Sequence, residues 1–203
     1  MGVAGRSLKE RQYQEREEYI LQVSEELLFA KGYYEISMDD IAAQVGIARG
    51  TLYRHFASKE DLVFAFIKRD LSALLRNFEE ILAANTTVQE KLEATLRVIY
   101  QKVSGKYVSL LDNGAILCFS QKRIADLNEI REPLLEHIRR LLEAGKATGE
   151  FDATLPTDVT TFAILTLASP TIYKRLVIEG NKTKEELETD LIRMYLKIVA
   201  PPS

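Results

Sequence analysis

Apolar residues along this chain recur at intervals of three and four, with no sustained run of strict apolar–polar alternation. That period belongs to helices and predicts an all-α fold. A first helix is expected from Ser7 to Lys31, where Tyr19, Val23, Leu27 and Leu28 keep helical spacing and Gly32 supplies the C-terminal cap. Ser37 followed by Asp40, and Ser58 followed by Asp61, match the serine-x-x-acid start signal, in which the hydroxyl accepts from an amide of the first turn. Between these two starts, with Gly46 in the middle, there is room only for a short helix, a tight turn and another short helix. Leu62, Phe66, Leu71, Leu74, Phe78 and Ile81 then carry the period to about Ala84 and predict one long helix joining the two halves of the chain.

Further helices are expected at Val88 to Ser104, Tyr107 to Ser120, Ile124 to Thr148 with a break at Pro133, Asp158 to Glu179 with a kink at Pro170, and Lys184 to Val199. That makes about nine helices in all. The last two carry a wide apolar stripe: Val159, Phe162, Thr166, Ile172, Tyr173 and Leu176 on one, and Leu187, Leu191, Met194, Tyr195 and Ile198 on the other.

Composition acts mainly by exclusion. With 203 residues, 46% apolar, 28% charged and a net charge of −3, the chain is of an ordinary globular kind. No run approaches about 18 consecutive apolar residues, and the first twenty positions hold Arg6, Lys9, Arg11 and Arg16 without an apolar core. Neither a membrane span nor a signal peptide is expected, and the location is expected to be cytoplasmic. Cys118 is the only cysteine and reads as a small core residue, so no internal disulfide and no thiolate zinc set can form. His55 and His137 lie far apart without a metal-helix spacing, and neither a phosphate-cradling glycine loop nor a nucleophile motif occurs. Catalysis, a metal and a cofactor are therefore not expected.

From Ser37 to Phe56, the positions Ile41, Ala42, Val45, Ile47, Leu52 and Phe56 supply a miniature core, Ala42 permits a close helix crossing, and Gly46 can take a left-handed turn. This is a helix-turn-helix pattern, although any two short packed helices share much of it. Charge separates the readings. Residues 12–44 hold two basic and eight acidic side chains, whereas residues 45–59 hold Arg49, Arg54 and Lys59 and no acid. A local basic patch can engage phosphates on a slightly acidic chain, because at physiological salt the field is screened within about 8 Å.

The stretch Ile41-Ala42-Ala43-Gln44-Val45-Gly46-Ile47-Ala48-Arg49-Gly50-Thr51-Leu52-Tyr53-Arg54-His55-Phe56-Ala57-Ser58-Lys59-Glu60-Asp61-Leu62 resembles the DNA-binding signature of the TetR family of bacterial transcriptional regulators. The resemblance is close over about residues 15 to 65 and extends to the rest only in length and helix order. It implies that the helix around Ala48 to His55 enters the major groove. Arg49, Gly50 and Thr51 fall where the family reads bases, Tyr53 and His55 where it meets the backbone or nearby bases, and Lys59 where it sits on phosphate; Ser37, besides capping, can touch a phosphate. Arginine can bond guanine O6 and N7 together, and the threonine methyl can meet a thymine methyl. Ala48 departs from the serine or threonine often found there, which removes a capping hydroxyl worth about 1 kcal/mol.

The same resemblance implies a DNA-binding domain over residues 1–58 and an effector-binding and dimerisation domain over residues 59–203. It implies a homodimer formed by the last two helices, which brings two reading helices to half-sites about 34 Å apart on a palindromic duplex. A small amphipathic or apolar effector is expected among the middle helices, with Phe78, Tyr100, Val103, Leu117 and Phe162 as apolar walls and Asn113 and His137 as polar anchors. The expected function is a repressor that leaves its operator when the effector binds. An activator of the same fold, or a DNA-binding protein without a ligand switch, is the alternative.

Overall fold

The computed structural model describes residues 7–103, 119–167 and 169–202. The described residues are helical with no strand: α1 (Leu8–Lys31), α2 (Met38–Val45), α3 (Arg49–His55), α4 (Lys59–Ala83), α5 (Val88–Val103), α6 (Gln121–Thr148), α7 (Thr157–Leu167), α8 (Pro170–Tyr173, running on through a π turn at Lys174–Ile178) and α9 (Lys184–Val199). Among them no helix is long and apolar enough to cross a membrane. The helix expected between Tyr107 and Ser120, together with Cys118, lies outside the described residues apart from its last two positions.

Local chemistry sets the starts of the helices. Ser7 and Ser37 each close a capping box, with Glu10 and Asp40 respectively, and Ser58 accepts from the amide of Asp61. Thr183 and Glu186 form another capping box at α9. Gly46 ends α2 at φ +78°, a left-handed conformation that L side chains resist, and the turn closes by a 3.0 Å bond from the Ile47 amide to the Ala42 carbonyl.

Three expectations are corrected. Tyr19 is 53% exposed, and the buried stripe of α1 runs instead through Ile20, Leu21, Ser24 and Leu28. Pro133 lies inside α6 without breaking it, because Leu127 on one side and Leu134, Ile138 and Leu142 on the other are buried and hold the helix through the lost amide. The single helix expected from Asp158 to Glu179 is instead two elements, with α8 starting at position 170.

Two apolar cores form. The first gathers Ile20, Leu28, Ile41, Leu52 and Phe56 from α1 to α3, Leu62, Val63, Phe66 and Ile67 from the start of α4, and Phe119 and Leu127 from the entry to α6. The second gathers Leu74 and Phe78 from the rest of α4, Leu92, Leu96 and Ile99 of α5, Leu134, Ile138 and Leu142 of α6, Ile164 of α7, and Leu191 and Tyr195 of α9. Both α4 and α6 therefore run from one core into the other.

Candidate nucleic-acid interface

The reading surface is built on the first core. Leu52 of α3 is fully buried beneath Ile41 and Val45 of α2, so the opposite side of α3 is turned to solvent. That side carries Arg49, Gly50, Tyr53 and Arg54, with Thr51 half-buried beside them. Ala48 caps α3 without any side-chain bond, as its methyl group requires. Gly50 has a further property: a Cβ placed there would meet nothing within 4 Å. Glycine inside a helix costs up to about 1 kcal/mol relative to alanine, and no packing among the described residues requires it here.

Arg49 is not idle in the free protein. Its guanidinium pairs with Asp39 of α2 at 2.9 Å, reaches the Tyr53 hydroxyl at 3.5 Å, and lies 5.3 Å from the centroid of that ring. Arg54 bonds the Thr51 hydroxyl at 3.1 Å. The basic and hydroxyl groups of α3 are thus pre-oriented in pairs across one exposed face. Asp39 escaped the sequence reading, because nothing in its spacing announces a pair to a residue across the turn.

Two of the expected DNA contacts are engaged within the chain. His55 sits on α3, but its side chain is only 4% exposed; its ring stacks on Tyr13 of α1 at 4.2 Å, with Nδ1 3.7 Å from Glu17. It braces α3 against α1 and does not face outward. Lys59 donates from Nζ to the carbonyls of Tyr33 at 2.5 Å and Ile36 at 2.7 Å and lies over the Tyr33 ring at 4.1 Å. Its ammonium holds the connection between α1 and α2 to the start of α4. Ser37 is exposed, with its hydroxyl engaged in the capping box with Asp40.

In the second core Phe78 stacks on His137 at 4.1 Å, and Thr95 bonds His137 Nε2 at 3.1 Å. Burial, with a smaller push from Arg140, lowers the His137 pKa to about 4. Tyr100 is buried beside Tyr195, whose hydroxyl donates to the Ala163 carbonyl at 2.5 Å; burial first, and then the Tyr195 hydroxyl, raise the Tyr100 pKa. Phe78, Tyr100 and His137 therefore share one buried region. Phe162 does not join them: it is 54% exposed, because α7 buries Thr160, Thr161 and Ile164 and turns Val159, Phe162 and Thr166 outward. Asn113 and Leu117, and the side chain of Val103, lie outside the described residues. In α9 the expected stripe divides, since Leu187, Leu191 and Tyr195 are spent on this chain's own core while Ile198 remains exposed. Among the described residues no group of acidic, histidine or cysteine side chains is arranged to hold a metal.

Residues 20–66 match the family of bacterial regulatory proteins described as the tetR family. The chain is 28% identical over 145 residues to the fatty acid metabolism regulator protein of Bacillus subtilis (strain 168), a span of 68% of this chain and 72% of that protein. It is 36% identical over 93 residues to an HTH-type transcriptional regulator of Staphylococcus aureus (strain bovine RF122 / ET3-1), a match spanning 45% of this chain and only half the length of that relative. Among solved structures, a TetR/AcrR family regulator from Thermobifida fusca YX-ER1 superposes with a TM-score of 0.74 at 28% identity, covering 90% of this chain and 97% of its own. AibR, solved in complex with isovaleryl coenzyme A and operator DNA, superposes with a TM-score of 0.71 at 21% identity over 88% of this chain and 97% of its own.

Proposed function

We infer, because the chain belongs to the TetR family of bacterial regulators, that it is a repressor which reads an operator through α3 and leaves it when an acyl thioester binds among the helices of the second core. The observation that carries the DNA reading is the outward face of α3, where Arg49 is pre-oriented beside a glycine that the fold itself does not need. Arg49, Gly50 and Thr51 read base edges, and Tyr53 contacts the backbone, in keeping with bidentate arginine recognition in the major groove. On this reading residues 1–58 carry the DNA contacts and the remainder carries the effector and subunit contacts.

The effector class draws on two kinds of support. Phe78, Tyr100 and His137 combine an apolar wall with buried polar groups, which suits a ligand with an apolar chain and a polar end. The Bacillus subtilis relative is a fatty acid metabolism regulator, and AibR was solved with isovaleryl coenzyme A. Two copies associate through the outward apolar residues of α7 to α9, namely Val159, Phe162, Leu176, Ile178 and Ile198, all more than a third exposed. Large apolar side chains left exposed on a single chain suit an interaction surface.

Nuclease protection on genomic fragments, followed by anisotropy titrations with isovaleryl-, octanoyl- and palmitoyl-coenzyme A, tests the reading. A two-fold symmetric protected site that one of these thioesters releases is expected. Binding without sequence preference would overturn the DNA reading, and a protected site indifferent to all three would overturn the effector class.

A further inference from the structure

The first three turns of α1 lie ahead of residue 20, where the family match begins, yet they pack on the reading head. Tyr13 stacks on His55 at 4.2 Å, and its hydroxyl donates to the Arg54 carbonyl at 3.4 Å. The segment is thereby laid along the C-terminal end of α3 and does not project freely. On a helix, Lys9 and Arg16 stand four residues before and three after Tyr13 and share its side, whereas Arg11 stands two residues away and faces elsewhere.

Of the four carboxylates in this segment three have partners, while Glu15 is exposed and makes no ion pair among the described residues. Glu10 closes the capping box of Ser7, Glu17 lies against His55, and Glu18 pairs with Arg69 of α4 at 3.1 Å. Three of its carboxylates therefore turn toward protein partners. Lys9 and Arg16 are exposed and make no ion pair among the described residues. Two unpaired cations are thus held beside the end of a helix whose outward face is itself basic.

We propose that the start of α1 is a phosphate-binding flank of the DNA interface, in which Lys9 and Arg16 grip the duplex backbone beside the half-site read by α3, and Tyr13 is the positioning residue that locks the flank in register with it. This rests on the reading of α3 as the base-reading helix. Backbone contacts of this kind add affinity without sequence preference and deepen the salt dependence of binding by about 0.9 in the log–log slope for each phosphate neutralised.

The test uses the full chain and compares the protected operator with a random duplex between 50 and 200 mM salt. Changing Lys9→Ala and Arg16→Ala together is expected to flatten the slope by about 1.8 per subunit and to weaken both duplexes by the same factor. Arg11→Ala is expected to leave the slope unchanged. Tyr13→Ala should reproduce the flattening with both cations still present, and Tyr13→Phe, which keeps the stack, should restore most of it. A wild-type slope in the double variant, whose substitutions touch no packed residue, would overturn the flank. Arg49→Ala in the same series keeps the two readings apart: lost operator preference there, alongside an unchanged slope in the double variant, would condemn the flank alone.

Discussion

Ser120, which caps α6, donates both its backbone amide and its hydroxyl to Oε1 of Glu60 in the first turn of α4, at 2.7 and 2.9 Å. The next residue of α4 is held as well. Arg123 pairs with Asp61 while its guanidinium lies 4.5 Å from the centroid of the Phe64 ring. Against the upward push of burial, the Ser58 hydroxyl and Arg123 hold the Asp61 carboxyl below the usual carboxylate range. The entry to α6 is thus clasped to the end of α4 that supports α3.

This clasp should carry the switch. In the double variant Glu60→Ala with Arg123→Ala, the ratio of operator affinities without and with acyl-coenzyme A is expected to fall toward one, with effector binding retained. A hundredfold release corresponds to about 2.7 kcal/mol of coupling, and by linkage the operator's effect on effector affinity must shrink by the same factor. Calorimetric titration of effector with and without operator measures it; an unreduced ratio would route the coupling elsewhere.

Arg49→Ala is expected to cost about 1–3 kcal/mol of discrimination at one base pair per half-site, with little change on random DNA. Asp39→Asn should do the reverse. It frees the guanidinium of a competing carboxylate, so binding to random duplex should tighten and operator preference should narrow. Competition titrations against single-base operator variants would show both, and equal losses on all sequences for Arg49→Ala would reject base reading.

Lys59→Ala is expected to cost about 1–3 kcal/mol of stability, because removing the ammonium strands two carbonyls that it now satisfies. The salt slope of DNA binding should stay as it is. Thermal melting beside the salt titration distinguishes this from a phosphate contact, which would give the opposite pattern.

His137 makes stability depend on acid. Burial holds its folded pKa near 4, below the ordinary value of 6.5, so the folded state favours the neutral ring. Its contribution is complete above about pH 6.5 and is lost progressively as the pH falls toward 4, by up to roughly 3 kcal/mol. Denaturant melts of the wild type and of His137→Gln across pH 4.5 to 7.5 should show a steeper decline in the wild type. Parallel curves would remove His137 as the cause.

What could be read from the sequence was local. Ser37 with Asp40, Ser58 with Asp61, and Gly46 between them are signals spread over four residues or fewer, and each performs as its spacing implies. The uncapped Ala48 was legible for the same reason. The contacts that Lys59 and His55 make within the chain were not legible, because their partners are distant in it. Lys59 looked like a free cation because its acceptors, Tyr33 and Ile36, lie more than twenty positions earlier. His55 looked outward-facing because Tyr13, which covers it, is 42 positions away. Phe162 is a different case, since α7 has an apolar residue on both faces and periodicity alone does not say which one is buried.

The passage of α4 and α6 through both cores has a consequence for folding. Leu62, Val63 and Phe66 are fully buried in the first core, so a fragment ending near residue 58 would leave the reading head without its floor and is not a stable body by itself. With no severable part, the chain should melt in one cooperative transition. A molecule lodged in the far core would then raise the melting temperature of the reading head while loosening its hold on DNA, so that greater heat resistance and weaker operator binding rise together.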